Sequence, residues 1–538
     1  MTRLFIVSLE LEMPISVIRT AILWLMGGLL VACGGGGGSG GGNKNASTIA
    51  VTVTTAPARG DLLANPPNRL ASYSTNDLLA QLTSDKIGKT LLNLALTPKC
   101  AIDVYQLRYS TVDAKGNITP ASAALMVPSG SSNSCSGARP IVLYAHGTTA
   151  DRAFNIANIT ASNAEEGLLL ATAFATQGYI AVAPNYVGYD TSTLNYHPYL
   201  NADQQSKDMM DALHAARAAL PVASASSTTE SGKLFITGYS EGGYVAMATH
   251  RAMQAAGMVV TASAPMSGPY ALSAFGDAIF LGQVSKGSPE NVALIIASYQ
   301  HAYGDIYVST ADVFEGKYAT GIDTLLPSAT ALSDLQNQGK IPGSILFSTV
   351  PPNASYASVT PATSPAQFVA VFAKGFGVDN LVTNAYRLDY LQDAQAQPDG
   401  GFPTIASGLP PVNPVNKLRA AFKTNDLRNW TPTSPVLLCA GNSDPTVFYL
   451  NTALMQGYWT AHPPTIAAVV VDIDASPSNG DPYSNLKAGF LSAKNAVRAA
   501  AVAGGDSDGG DKAVLDAYHA QLVAPFCASV VKSFFDGL

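Results

Sequence analysis

Ser240 stands at the apex of Gly238-Tyr-Ser-Glu-Gly242-Gly243, between the short apolar run Leu234–Ile236 and a helical pattern with small and apolar residues at Val245, Ala246 and Ala248. A serine hydroxyl attacks a carbonyl well only when a base takes its proton, and a histidine base needs an acid to hold its tautomer and stabilise the imidazolium. A strand, a sharp turn and a helix form the context in which a G-x-S-x-G pattern presents a nucleophile. On so tight a turn, side chains at Gly238 or Gly242 would collide with the neighbouring strand and helix. The turn also puts Ser240 at a helix N-terminus, where the backbone amide of Glu241 can donate to a developing oxyanion. The Glu241 side chain reads as a helix N-terminal charge favoured by the dipole rather than as a catalytic acid. Alone, the five-letter pattern is common in a chain with 47 glycines, and a plain Gly/Ser turn is the competing reading.

The elements around this turn alternate. Residues 75–96 predict a helix in two pieces, and 102–111 with 119–127 predict an antiparallel hairpin closed by Asp113-Ala-Lys-Gly-Asn117. Pro140–Ala145 is a continuous apolar strand that runs into His146-Gly147-Thr148-Thr149. A helix over 165–177, a strand over 179–184, a helix over 205–220, the strand and helix flanking Ser240, and a strand over 258–264 follow. Such alternation buries a mostly parallel sheet between helix layers. It lapses from Gly268 to Ser434 and resumes at Val436–Ala440, which leads into Gly441-Asn-Ser-Asp444. A helix over 451–458 and a last strand over 465–473 come next, then the Gly/Asp-rich run AGGDSDGGDK from Ala503. That run reads as a solvated loop, since its spacing fits no calcium-binding loop. His519 and a closing helix to Phe535 end the chain.

The Gly-Tyr-Ser-Glu-Gly-Gly, His146-Gly-Thr and Pro184-Asn-Tyr-Val-Gly-Tyr segments carry a resemblance. Over residues 140–270 and 433–535 the chain resembles the α/β-hydrolase superfamily, and it is most similar to the secreted bacterial lipase and esterase group with a large lid. The resemblance implies an α/β-hydrolase fold: a mostly parallel central sheet flanked by helices, with a mainly helical cap inserted after the sixth strand, at 269–434. An independent second domain is the competing reading of that insertion. The resemblance also implies that the strand ending in His-Gly supplies the other half of the oxyanion hole. Thr148 is then the second amide donor, Thr149 the fallback, and His146 a brace for the loop. The family presents its triad acid after a strand and a glycine, which selects Asp444; Asp472 and Asp474 compete. With the chain order Ser, Asp or Glu, His, only His462 and His519 follow Asp444, and His519 alone comes after the last strand. Asn185 departs from the family pattern, where an aspartate is expected in a loop away from the chemistry.

The chain has 538 residues, 47% hydrophobic and 12% charged, with a formal net charge of −7 and no basic stripe, which argues against a nucleic-acid partner. The apolar run from Thr20 to Ala32 follows Arg19, is too short to span a bilayer comfortably and has the length of a signal-peptide core. It ends in Leu30-Val-Ala-Cys33, which resembles the bacterial lipobox, so residues 1–33 are expected to be a lipoprotein signal with Cys33 lipidated. Glu10 and Glu12 sit oddly ahead of such a core, and Met13 is the expected start of translation. A Gly/Ser-rich tether over 34–56 would hold an exported domain (57–268 and 435–538, with the cap between) clear of an outer-membrane surface. Setting Cys33 aside leaves Cys100, Cys135, Cys439 and Cys527, an even number suited to an oxidising compartment, with three pairings open. Cys100–Cys135 would clip the ends of the hairpin, leaving Cys439–Cys527. No C-x-x-C or histidine cluster suggests zinc, and no cofactor is expected.

Three functions compete: a serine carboxylic ester hydrolase acting through an acyl-enzyme on a small or lipid-like ester, a serine peptidase or aminopeptidase of the same fold, and a non-catalytic surface binding protein. A peptidase trimming N-termini needs buried carboxylates to hold an ammonium, and the cap offers Asp312, Glu315 and Asp323 without an evident cluster. The oligomeric state stays open.

Overall fold

The computed structural model describes residues 56–161, 165–224, 227–399 and 409–538. Cys33, the expected signal segment and nearly all of the expected tether lie outside the described residues. Among the described residues there are eleven strands: β1 (Asn68–Tyr73), β2 (Ala101–Val112), β3 (Ile118–Ser129), β4 (Gly137–Ala145), β5 (Ile180–Pro184), β6 (Thr228–Tyr239), β7 (Ala262–Met266), β8 (Phe347–Ser348), β9 (Phe376–Gly377), β10 (Leu437–Ala440) and β11 (Val469–Asp472). Nine of them form one sheet in the order β1-β2-β3-β5-β4-β6-β7-β10-β11. From β5 to β11 all neighbours are parallel. At the other edge β1, β2, β3 and β5 pair antiparallel. The parallel strands are largely apolar along their buried lengths, as expected when helices cover both faces.

The β2–β3 hairpin pairs Ala101 with Ser129 through Val112 with Ile118. Its turn is held by Asp113, whose carboxylate accepts from the amides of Lys115 and Asn117, both at 2.8 Å. Cys100 and Cys135 are disulfide-bonded across the open end of this hairpin, and Cys439 is bonded to Cys527. Strand β1 has no counterpart in the sequence reading, because none of its six residues is buried and no apolar alternation marks it. Strand β7 begins later than the apolar run Met258-Val-Val suggests. Met258 donates instead to the Met253 carbonyl and closes the preceding helix, with Gly257 at φ +71°, and Val259 is 82% exposed. Because β1 adds a strand, the insertion follows the seventh strand of the sheet rather than the sixth.

Between β7 and β10 the chain forms helices Leu272–Phe280, Ser288–Tyr303, Asn384–Ala396 and Lys417–Asn425, several shorter turns and the β8–β9 pair. Buried arginines knit these pieces together. Arg419 bonds Asp277 at 2.9 and 2.7 Å and Asp393 at 2.7 Å. Arg428 sits between Asp399 and Asp426, and Arg387 lies over the rings of Phe347 and Phe376. Replacing Arg419 with methionine leaves two buried carboxylates without their cation. A loss of about 3–5 kcal/mol in unfolding free energy is expected, measured by urea titration.

Candidate active site

Strands β4 and β6 are neighbours, yet the chain leaves β4 for β5 on one side before crossing back to β6. Open α/β sheets bind ligands at such a switch point, beyond the carboxyl ends of the strands. The two loops leaving these ends carry His146-Gly147-Thr148 and Ser240, with Ala145 paired to Gly238.

Ser240 has φ 59° and ψ −123°, a strained conformation for a residue with a side chain, and heads the helix Glu241–Ala255. Close approach of three backbones imposes glycine here. A Cβ on Gly242 would lie 1.9 Å from the Ala145 carbonyl oxygen, and one on Gly238 would lie 2.4 Å from the same atom. Asp444 follows β10 and is fully buried. Its Oδ1 accepts from the amides of Thr446 (2.9 Å) and Val447 (3.1 Å), and its Oδ2 lies 2.6 Å from Nδ1 of His519. His519 sits on a π-helical turn, Tyr518–Val523, leading into the last helix, Ala524–Asp536. Tyr239 donates its hydroxyl to the His519 carbonyl, tying that turn to the residue before the serine. His519 Nε2 is buried without a hydrogen-bond partner, and the residue lines the same cavity as Ser240.

The other candidates are engaged elsewhere. Asp472 accepts from the amide and side chain of Asn442, and Asp474 holds Lys494 and the Tyr518 hydroxyl. His462 is exposed at the end of the helix Leu450–Ala461. His146 is buried, stacks on Tyr186 at 4.2 Å between ring centres, and has its two nitrogens near the carbonyls of Gly147 and Asn185. Burial lowers its pKa, which suits a neutral ring bracing the loop. Asn185, at the position of departure, fills a buried slot: Oδ1 accepts from Ile156 and Nδ2 donates to Ser122.

Thr148 and Glu241 line the cavity with Ser240, while the Thr149 carbonyl accepts from Tyr189. The Glu241 side chain lies in the first turn of its helix and has specific partners there. It is buried, and Oε1 meets His197 Nε2 at 2.6 Å and Gln205 Nε2 at 2.7 Å. That contact pins the first turn after the serine to the loop following β5.

The cavity holds about 330 Å³ and is walled mainly by apolar residues of the cap helices, among them Leu272, Phe275, Ile279 and Ile295. Among the described residues no group of three or more His, Cys, Asp or Glu side chains is placed to hold a metal ion.

A model of the prolyl oligopeptidase family (peptidase S9) matches residues 169–288. The rice cell wall degrading esterase LipA from Xanthomonas oryzae is similar in structure, at TM-score 0.60 and 26% identity, over 86% of this chain and 98% of that one. A structure from Legionella pneumophila aligns at TM-score 0.55 and 19% identity over 77% of this chain and 92% of its own. The chain is an α/β-hydrolase. No curated protein matches it by sequence.

The sequence reading of the hydrolase missed Glu166. Its carboxylate is partly buried behind the His-Gly-Thr loop, where it accepts from the Gly147 amide at 2.9 and 3.0 Å and from the Tyr144 hydroxyl at 2.8 Å. Nothing distinguishes it in the sequence from Glu165 beside it; only the sheet's placement of the loop does. Burial pushes its pKa up to about 7 against those donors, and burial does the same for Asp208, which accepts from Tyr109 and Val187. Between the ordinary carboxylate range and about 7, the folded hydrolase therefore holds protons that the unfolded chain has lost. Stability contributed by these groups is present at low pH and lost as pH rises through about 7. A thermal midpoint that falls between about pH 5 and pH 8 is expected from these two groups, read by scanning calorimetry, with a smaller fall in a Glu166→Gln variant.

Proposed function

We propose that the hydrolase cleaves carboxylic esters through an acyl-enzyme on Ser240. The observation that carries this reading is the Asp444–His519 contact, with the remaining imidazole nitrogen unpartnered at the cavity where Ser240 stands on its strained turn. Ser240 Oγ attacks the acyl carbonyl while His519 Nε2 takes the proton. Asp444 accepts from Nδ1–H, fixing the tautomer and stabilising the imidazolium. The amides of Glu241 and Thr148 receive the oxyanion, and His519 returns the proton to the leaving alcohol. Water then repeats the sequence to release the acid. The buried Glu241–His197 contact and the Glu166–Gly147 bonds hold the two oxyanion loops in place, so that little reorganises as charge develops.

The apolar cavity wall and the similarity to an esterase over nearly its whole length favour an ester substrate. A peptidase is the second reading, supported by the prolyl oligopeptidase family match and by three carboxylates, Glu166, Glu241 and Glu290, along the cavity. Purified protein is expected to hydrolyse p-nitrophenyl butyrate in preference to aminoacyl anilides; turnover of the anilides alone would overturn the ester reading. Turnover of neither would favour a binding protein. For the N-terminus, the lipobox supports anchoring through Cys33, and Cys33→Ala is expected to move the protein from the membrane to the soluble fraction.

A further inference from the structure

Glu290 has no part in the chemistry above. It lies in the first turn of the cap helix Ser288–Tyr303, whose N-cap is Gly287 at φ 85°. The helix dipole favours a carboxylate there, which accounts for an acid exposed to water. It does not account for this placement. Glu290 lines the cavity that also contains Ser240 and His519, and its Oε2 is buried without a hydrogen-bond partner. Its Oε1 faces the Gly287 backbone, where a Cβ would come within 3.2 Å.

The surrounding groups do not satisfy it. Of the other carboxylates of the cavity, Glu166 accepts from donors of the fold on both oxygens, and Glu241 accepts from two on Oε1 while its Oε2 has none. Lys286 borders the cavity, but its ammonium bonds Asp516 at 3.0 Å at the exposed rim. Among the described residues no other residue donates to Glu290. A buried carboxylate oxygen without a donor is unfavourable, and burial pushes the Glu290 pKa up to about 7. A ligand that brings a donor into the cavity removes that penalty, and an apolar ligand of the same shape does not.

We propose that Glu290 is a specificity-determining residue that selects substrates carrying a hydrogen-bond-donating group, an ammonium or a hydroxyl, on a chain attached to the scissile carbonyl or its alcohol. The inference rests on the reading of Ser240 as nucleophile. It narrows the substrate class from apolar esters to esters with a polar, donating end that lodges under the cap while the carbonyl reaches Ser240.

The test measures the rate of Ser240 labelling by three alkyl fluorophosphonates of equal chain length, ending in dimethylammonium, its isostere isopropyl, or hydroxyl, the end group being placed in turn on the alkyl and the alkoxy arm. The wild-type protein is expected to favour a donor-ended probe over the isopropyl one, and Glu290→Leu to cut that preference about ten-fold or more. Glu290→Gln separates the two donors. A preference for ammonium falls in both variants, because it needs the negative charge, whereas a preference for hydroxyl survives in the glutamine variant, which still accepts. Equal labelling by all three probes, or a preference untouched by Glu290→Leu, overturns the inference while leaving Ser240 as nucleophile. No labelling of Ser240 by any probe overturns both.

Discussion

Replacing Ser240 with alanine is expected to lower kcat on p-nitrophenyl butyrate by about a million-fold, because nucleophile, base and acid act as one unit and losing the nucleophile removes the covalent route altogether. Replacing Asp444 with asparagine is expected to cost less, about ten-thousand-fold, since the serine and imidazole remain but the tautomer is no longer held. The difference comes from the geometry. Asp444 is fully buried, receives two backbone amides on Oδ1 and contacts His519 only through Oδ2. Asparagine in that slot can keep the amide contacts with its carbonyl, but it then turns an NH2 toward Nδ1. The imidazole answers by placing its proton on Nε2, where it can no longer accept from the serine. A stopped assay read against the uncatalysed rate checks both values. Comparable, small losses in the two variants would mean that the cavity hydrolyses esters by another route.

The second large effect concerns how acid and base are held in register. Cys439 lies in β10, the strand that leads to Asp444, and Cys527 lies in the helix Ala524–Asp536 that follows His519. The bond therefore ties the acid's strand directly to the base's helix and closes a span of 88 residues. Loop-closure entropy gives about 4–5 kcal/mol for a cross-link of this length. The double variant Cys439→Ala/Cys527→Ala is expected to lose that much unfolding free energy, measured by denaturant titration without reductant, and to lose activity at temperatures where the wild type keeps it. The Cys100–Cys135 bond spans 35 residues at the open end of a hairpin far along the sheet from the site. Its removal is expected to lower stability by a little less, about 4 kcal/mol, and to leave kcat near the wild-type value at temperatures where the protein is folded.

What the sequence made legible was local. The serine turn could be read because glycine at 238 and 242 answers a steric demand, and the Ala145 carbonyl pressing on both positions is that demand seen in three dimensions. The hairpin was legible because Asp113, Gly116 and Asn117 are turn residues for separate physical reasons. The seventh strand was misplaced because Met258-Val-Val is apolar without being buried, and a closing hydrogen bond to Met253 takes the backbone donor a strand would need. The helix Ser484–Ala503 escaped notice because only Phe490 on it is buried, so no stripe announces it.

The contacts that shape the site were less visible still. Glu166, His197 and Glu290 come from three separate stretches of chain, and their meaning depends on what the sheet and cap bring beside them. Glu241 was legible as an amide donor from the turn geometry, yet its carboxylate could be placed only once His197 and Gln205 were seen around it.

The most direct measurement is the site of covalent modification by a simple alkyl fluorophosphonate, mapped by mass spectrometry of the digested protein in wild-type, His519→Ala and Asp444→Ala forms. One adduct is expected, on Ser240, nearly abolished by the loss of His519 and strongly slowed by the loss of Asp444. An adduct on any other residue, or labelling of Ser240 at an unchanged rate without His519, would contradict the account.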